Sequence, residues 1–167
     1  GYNLIIYDNL SRGNKQSIPE GVPFIEGDIA DEEKVTQVLK EYSISSVIHF
    51  AAYAYVGESI ENPSLYFENN LKKGLIFLEV LKKNNIKKIV FSSSCATYGI
   101  PDNIPITEKE KQKPINPYGL TKLLFEKALQ SYDESFGIKH VSLRYFNAAG
   151  AAYGIGENHD PETHLIP

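Results

Sequence analysis

A tyrosine and a lysine stand at a spacing that could serve proton transfer. Tyr118 and Lys122 are four residues apart, and Asn116-Pro117 just before them is typical of a helix start. On a helix this spacing places both side chains on one face, so the ammonium lies near the phenol. A nearby cation favours phenolate, and we expect it to lower the pKa of Tyr118 from about 10 towards neutrality. Tyr118 could then act as an acid and as a base.

A serine triplet adds weight to this pair. Ser92-Ser93-Ser94 falls at the end of an apolar run, and Ser94 would orient a reacting hydroxyl beside Tyr118. The four-residue spacing alone means little, because it also describes an ordinary surface pair on a helix. Its position at a helix start, one βα unit after a serine triplet at a strand end, is what indicates catalysis.

Three other predicted strands end in residues suited to a nucleotide. Asp8 could accept hydrogen bonds from ribose hydroxyls and would repel a 2′-phosphate, which favours NAD over NADP. A turn-forming role fits Asp8 equally well, and Arg12 weakens the preference for NAD. Asp28-Ile29 could hold an adenine ring or cap the next helix, and the small residues of Phe50-Ala51-Ala52 would let a cofactor approach the backbone.

The elements that must position these residues alternate along the chain. Alternation of this kind predicts an α/β fold with a doubly wound parallel sheet, in which ligands bind at the carboxyl ends of the strands. The first strand, a continuous apolar run, is expected to be buried on both faces. Strands are predicted over residues 2–7, 24–25, 47–50, 89–92 and 141–145, and helices over 31–42, 63–81 and 117–135.

Composition narrows the classes of partner. The 167 residues carry a net charge of −4 with no long basic block, so we expect no nucleic-acid partner. No apolar run approaches the roughly 20 residues of a membrane span, and no signal-peptide pattern opens the chain. A single cysteine agrees with a reducing compartment. We therefore expect a cytoplasmic protein without a membrane partner.

The histidines do not suggest a metal site. His49 lies inside a predicted strand and His140 at the start of another, so both are predicted to be structural. The spacing of His159, Asp160 and His164 matches no recognised ligand pattern. We expect no metal.

Seven segments together resemble the UDP-glucose 4-epimerases, which belong to the extended short-chain dehydrogenase/reductase family with a Rossmann-like fold. The resemblance runs the whole length of the chain. The segments are DNL (8–10), GDI (27–29), HFAAYAYVGES (49–59), FSSSCATYG (91–99), NPYGLTK (116–122), RYFNAAGA (144–151) and ETHLIP (162–167).

The resemblance implies interconversion of UDP-glucose and UDP-galactose with a tightly held NAD, by C4 oxidation, rotation of a 4-keto intermediate and re-reduction. It implies that Tyr118 exchanges the proton, that Lys122 also holds the nicotinamide ribose and that Ser94 bonds the sugar oxygen. The implied cofactor contacts are Asp8, Asn9, Asp28, Ile29, Phe50, Ala51, Ala52, Asn69, Ser92, Tyr118, Lys122, Tyr145 and Phe146. The implied substrate contacts are Ser94, Tyr118, Asn147, His164 and Leu165.

Two parts of the family pattern are not found in the sequence: the glycine-rich phosphate loop after a first strand, and the carboxy-terminal substrate domain. We therefore expect residues 1–167 to be a partial NAD-binding domain, with the substrate-binding region starting at about 147–167. The first strand is central in the family's sheet, so its loss would separate the first two strands here from the others. The isolated chain is expected to be poorly stable and to bind NAD weakly or not at all.

Several alternatives stay open. The sugar could instead be UDP-N-acetylglucosamine or a UDP-pentose, or the fold could serve as a non-catalytic nucleotide sensor. A 4,6-dehydratase is disfavoured, because Cys95-Ala96 stands where that class carries an Asp-Glu pair. The resemblance also implies a homodimer formed through the helices near residues 65–81 and 118–135.

Overall fold

The structure is a computed structural model of the 167-residue chain, and it describes residues 1–152 together with Gly154 and Gly156. Strands and helices alternate as predicted. In chain order they are β1 (Ile6–Asp8), β2 (Phe24–Glu26), α1 (Glu32–Glu41), β3 (Val47–His49), α2 (Val56–Glu61), α3 (Pro63–Tyr66), a π-helical turn (Phe67–Lys72), α4 (Lys73–Lys83), β4 (Lys88–Ser94), α5 (Pro117–Phe136) and β5 (Lys139–Tyr145).

The strands form two parallel sheets. β1 pairs with β2, and β4 lies between β3 and β5 in a second, three-stranded sheet. No hydrogen-bonded strand joins the two sheets within the described residues. The doubly wound α/β prediction is confirmed, and so is the expected separation of the first two strands from the other three.

The prediction for the first strand was wrong in length and burial. β1 begins only at Ile6, while Tyr2 and Leu4 are 94% and 59% exposed. The reason is that β2 offers three residues for pairing along one edge, and no second partner strand lies on the other edge among the described residues. The apolar run is therefore longer than the paired strand.

The helices follow their capping signals. The Asp31 side chain accepts from the Lys34 N–H at the start of α1, and Asn116 accepts from Gly119 at the start of α5. The long helix predicted over 63–81 is instead divided into α3, the π-helical turn and α4, and the short α2 was not predicted. No helix in the described part of the chain is long and apolar enough to span a membrane.

The core lies between the three-stranded sheet and the helices α1, α4 and α5. His49 at the end of β3 is part of it, with only 4% of its surface exposed. Its ring centroid lies 5.5 Å from that of Phe77, 5.6 Å from Phe91 and 5.3 Å from Phe125. His49 is therefore a packing residue, as predicted from its place in a strand.

We predict that His49 weakens the fold in acid. Burial, with a smaller contribution from Lys122, lowers the pKa of His49 to about 3. Below about pH 6.5 the unfolded chain binds a proton that the folded chain refuses, so stability falls as pH falls. In urea titrations of the complete protein, His49→Leu should reduce this loss by up to roughly 1.4 kcal/mol per pH unit. Identical acid slopes for wild type and variant would contradict the prediction.

Candidate active site

A cavity of about 220 Å³ opens at the carboxyl ends of β1, β2 and β3. Residues expected to contact a dinucleotide cofactor meet there, although they come from four separate segments of the chain. Those that line the cavity are Asp8, Asn9, Asp28, Ile29, Phe50, Ala51, Ala52 and Asn69. The structure thus brings together every cofactor residue that was predicted from the first 70 positions.

Asp8 shapes its own loop. Its Oδ1 accepts a 2.6 Å hydrogen bond from the Leu10 N–H, and the chain then folds back so closely that a Cβ at Gly13 would stand 2.6 Å from the same oxygen. Glycine at position 13 therefore permits the close approach. The turn-forming role of Asp8 and its place in the cavity lining are compatible.

Asp28 connects three segments around the cavity. Its Oδ2 accepts from Lys73 Nζ at 2.6 Å and from Asn9 Nδ2 at 3.1 Å, while its Oδ1 accepts from the Ala30 N–H at 2.9 Å. Burial raises the pKa of Asp28, but these hydrogen bonds outweigh it and the net pKa is lowered. Asp28 is therefore ionised at neutral pH, and Asp31, not Asp28, caps the following helix.

The π-helical turn places two neighbouring asparagines in different surroundings. Asn69 lines the cavity, whereas Asn70 is buried. Asn70 accepts from the Tyr53 N–H at 2.8 Å and donates to the Tyr53 carbonyl at 2.9 Å and to Thr121 Oγ1 at 3.3 Å. It therefore fixes the loop after β3 against α5. The sequence prediction missed Asn70 because a regular helix was assumed over this stretch.

Lys122 is buried where β4 ends and α5 begins. Its Nζ donates a 2.7 Å hydrogen bond to the carbonyl of Ser92 and lies 5.0 Å from the ring centroid of Phe91. The same nitrogen lies 5.8 Å from the ring centroid of Tyr118. The predicted pair therefore shares a helix face, with the ammonium close to the aromatic ring.

Ser94 faces Tyr118 across a close contact between α5 and the turn after β4. Ser94 Oγ accepts from the Ala96 N–H at 3.1 Å, and its hydroxyl interacts with the Tyr118 side chain strongly enough to act on its pKa. A Cβ at Gly119 would collide with the Ala96 carbonyl. Glycine next to the tyrosine thus lets the first turn of α5 approach Ser94.

The expected fall in the pKa of Tyr118 was wrong for this arrangement. Burial raises the pKa of Tyr118, and the opposing effect of Ser94 is smaller. Burial also lowers the pKa of Lys122 to about 8. Desolvation dominates both groups because the ammonium is turned towards the Ser92 carbonyl. At neutral pH, Tyr118 is therefore a protonated phenol above a cationic Lys122.

Glu126 continues the helix face of Tyr118 and Lys122 by one more turn. Its buried carboxylate accepts from the Ser93 hydroxyl, from Arg144 Nη2 at 2.8 Å and Nε at 3.1 Å, and from Gln112 Nε2 at 2.9 Å. Burial raises the pKa of Glu126, but these donors together lower it. One carboxylate therefore holds β4, β5 and α5 together beside Ser94.

Sequence reasoning missed this group. The position of Glu126, four residues after Lys122, is a signal that was present in the sequence. Its partners Ser93 and Arg144 lie 33 and 18 positions away, and only the fold brings them to one point.

The remaining predicted residues lie at the end of β5 and beyond it. Tyr145 is the register partner of Ser94, and it is 40% exposed. Phe146 and Asn147 come next and are exposed, and neither lines the cavity. His164 and Leu165 lie outside the described residues, as do His159 and Asp160. Among the described residues there is no group of three or more His, Cys, Asp or Glu side chains that could hold a metal ion.

A family model and individual known proteins both match this chain along nearly its whole length. The model of the NAD-dependent epimerase/dehydratase family matches residues 1–167. A UDP-glucose 4-epimerase from Streptococcus mutans is 47% identical over an alignment of 167 positions, which covers 98% of this chain and 50% of that protein.

Two solved structures extend the comparison. The UDP-glucose 4-epimerase from Brucella ovis in complex with NAD has a TM-score of 0.95 and 47% identity, over 99% of this chain and 51% of that one. The UDP-Glc/GlcNAc 4-epimerase from Campylobacter jejuni has a TM-score of 0.83 and 35% identity, over 91% and 48%. The chain thus spans about half the length of the proteins it matches.

We predict that Lys122→Met stabilises the complete protein at neutral pH. The folded pKa of Lys122, about 8, lies below its ordinary 10.5, so the folded state disfavours the charge. That cost is fully present below pH 8 and disappears as pH rises towards 10.5. The gain should be about 3 kcal/mol at pH 7 and should shrink at high pH, as measured by urea unfolding. Lys127→Met, at an exposed position of the same helix, is the matched control.

Proposed function

The chain belongs to the NAD-dependent epimerase/dehydratase family, and on that premise we propose that the complete protein interconverts UDP-glucose and UDP-galactose. The observation that carries the proposal is the meeting of Ser94, Tyr118 and Lys122 where β4 ends and α5 begins. A hydroxyl, a phenol and a buried ammonium at one point suit proton exchange with a sugar hydroxyl.

We propose that the cavity beside β1, β2 and β3 holds the adenine half of NAD. The residues present fit that group: Asp8 and Asp28 offer acceptors for ribose hydroxyls and an adenine amino group, and Ala51-Ala52 leaves the backbone accessible. Asn9, Ile29, Phe50 and Asn69 complete that proposed contact set, and Ser92, Lys122, Tyr145 and Phe146 would hold the nicotinamide half. Held there, NAD would supply the hydride acceptor and, in its reduced form, the hydride donor for C4 of the sugar.

The chain's own residues would move the proton. As the phenolate, Tyr118 takes the proton of the C4 hydroxyl while the sugar is oxidised, and as the phenol it gives that proton back while the 4-keto sugar is reduced. Because burial raises the pKa of Tyr118, its phenolate needs the nearby ammonium of Lys122, which with a pKa of about 8 is mostly charged at neutral pH. The Ser94 hydroxyl would bond the reacting sugar oxygen and orient it towards Tyr118.

The uridine diphosphate end is proposed to contact the segment after β5. Asn147, His164 and Leu165 are the proposed substrate contacts beyond Ser94 and Tyr118. On this proposal residues 1–167 are part of an NAD-binding domain, and the substrate-binding region starts at about residue 147.

We also propose a cytoplasmic homodimer. Apolar side chains on the outer faces of α2 and α5 support the dimer, because Val56, Ile60, Leu120 and Leu124 are between 36% and 62% exposed. Exposed apolar helix faces of this kind are typical of protein–protein contacts.

Of two other functions, one has specific support. An epimerase acting on UDP-N-acetylglucosamine or a UDP-pentose would use the same Ser94, Tyr118 and Lys122, and a UDP-Glc/GlcNAc 4-epimerase is among the structural relatives. A nucleotide sensor would keep the cavity but would not need a phenol paired with a buried ammonium. Dehydration remains disfavoured, because Cys95-Ala96 supplies no carboxyl pair beside Ser94.

We predict that Tyr118→Phe slows conversion of UDP-galactose to UDP-glucose by the complete protein about 100-fold or more, because the variant cannot exchange the proton. NAD binding should persist, since only one hydroxyl is lost. Tyr132→Phe on the same helix, whose hydroxyl bonds Glu79 away from the site, should retain the wild-type rate. If wild type and Tyr118→Phe both leave every UDP-sugar unchanged while NAD still binds, the sensing function is favoured instead.

We predict that residues 1–167 alone bind NAD more weakly than micromolar. The cavity is lined from both sheets, and no strand hydrogen-bonds them to each other among the described residues. Binding would therefore have to fix the two sheets relative to each other, which costs free energy. Titration calorimetry with NAD tests this, and micromolar or tighter binding would contradict it.

A further inference from the structure

A buried tyrosine packs directly against the proposed catalytic tyrosine. The ring centroid of Tyr66 lies 6.3 Å from that of Tyr118, and the two ring planes meet at 81°. Aromatic pairs favour this edge-to-face arrangement, which restricts the directions in which each ring can point. Tyr66 is the last residue of α3, and it is fully buried. The phenol of Tyr118 therefore has a buried aromatic neighbour on its α3 side.

Two hydrogen bonds hold the hydroxyl of Tyr66. It donates to Glu58 Oε2 at 2.7 Å and accepts from the Tyr55 N–H at 3.0 Å. Glu58 lies within α2, and Tyr55 is the residue just before that helix. Tyr66 is therefore joined to α2 by its hydroxyl and packed against α5 by its ring.

Glu58 is a charged anchor for this hydroxyl. Its Oε1 accepts a 2.6 Å hydrogen bond from Arg12 Nη2, while its Oε2 accepts from Tyr66. The hydrogen bonds from Tyr66 and Arg12 lower the pKa of Glu58, so the carboxylate is ionised at neutral pH. A hydrogen bond to an ionised acceptor is stronger than one between neutral groups. The hydroxyl of Tyr66 is thus held firmly in one place.

Tyr66 also contacts the wall of the cavity. Tyr53 lines the cavity, and its ring centroid lies 6.0 Å from that of Tyr66, with the ring planes at 66°. Tyr53 belongs to the loop after β3, whereas Tyr118 lies in the first turn of α5. One buried ring therefore supports the proposed catalytic tyrosine against the loop that forms part of the cavity wall.

The orientation of Tyr118 needs support of this kind. The Lys122 ammonium is turned towards the Ser92 carbonyl, and it lies 5.8 Å from the ring centroid of Tyr118. Ser94 interacts with the hydroxyl of Tyr118, which is only one end of the side chain. The angle of the ring therefore depends on the groups that pack against it. A displacement of about 1 Å between reacting atoms is enough to slow a reaction strongly.

We propose that Tyr66 is a positioning residue for Tyr118. Its ring, anchored through Glu58, holds the phenol at the angle from which Tyr118 exchanges a proton with the sugar hydroxyl. The inference rests on the proposed function, because it takes Tyr118 to be the residue that exchanges the proton. Tyr66 is fully buried, so it acts through Tyr118 and does not touch the substrate.

The first test removes only the hydroxyl of Tyr66 from the complete protein with bound NAD. Tyr66→Phe should lower kcat for conversion of UDP-galactose to UDP-glucose about tenfold, because the ring loses its anchor and the phenol its fixed angle. KM for UDP-galactose should be unchanged, since only a step after binding is affected. Tyr132→Phe is the matched control. It also removes a hydroxyl bonded to a glutamate, Glu79, but away from Tyr118, and it should keep the wild-type kcat.

Two variants of Glu58 test the anchor independently. Glu58→Gln keeps an acceptor for the Tyr66 hydroxyl and should retain kcat, whereas Glu58→Leu removes the acceptor and should lower kcat as much as Tyr66→Phe does. Combining Glu58→Leu with Tyr66→Phe should cause no further loss, because both remove the same hydrogen bond. The side chain of Glu58 is 31% exposed, so these variants test the anchor even if Tyr66→Phe does not fold.

Three results would overturn the proposal, with each kcat referred to the folded fraction measured by circular dichroism. If kcat is the same in wild type, Tyr66→Phe and Glu58→Leu, Tyr66 only stabilises the fold, while the proposed reaction stands. If KM rises and kcat does not fall, Tyr66 supports substrate binding and not the phenol. If wild type does not convert UDP-galactose, the proposed function is wrong and the role of Tyr66 fails with it.

Discussion

The site depends on a single ammonium buried at the junction of β4 and α5. Lys122 is held by the Ser92 carbonyl under the ring of Tyr118, in surroundings that disfavour its charge. Burying a cation in this way costs stability, so the surrounding fold must be firm enough to tolerate it. In return, a charge with little water around it acts more strongly on a neighbouring phenol than an exposed one would.

The helix that carries Lys122 is held to its neighbours by buried polar groups. Glu126 joins α5 to Ser93 and Arg144, and Asn70 joins α5 to the loop after β3. Each is buried and each is bonded to more than one partner, so neither is left with an unpaired charge or amide. The two sheets therefore differ. The sheet of β3, β4 and β5 is joined to α5 by several buried hydrogen bonds, whereas β1 and β2 contribute one side of the cavity.

Much of the fold, and the positions of Ser94 and Tyr118 in it, could be predicted from short sequence signals. Asn116-Pro117 marks the start of α5, and the end of the β4 apolar run places Ser94, so the proximity of Tyr118 and Ser94 follows from rules of short range. The predictions that were wrong, and the contacts that were missed, depend on residues distant in the sequence. The pKa of Tyr118 rises because distant elements bury it, the 2–7 run is paired only at its end, and Arg12 meets Glu58 across 46 positions.

The carboxylate of Glu126 limits which amino-acid replacements this part of the chain can accept. It serves Ser93, Arg144 and Gln112 at once, so replacing Glu126 removes this partner from all three, and replacing any one of the three leaves the buried carboxylate with fewer donors. Single replacements there are costly, while a coordinated set that substitutes apolar groups together need not be. The effects of replacements at these positions on stability are therefore expected to be coupled and not additive.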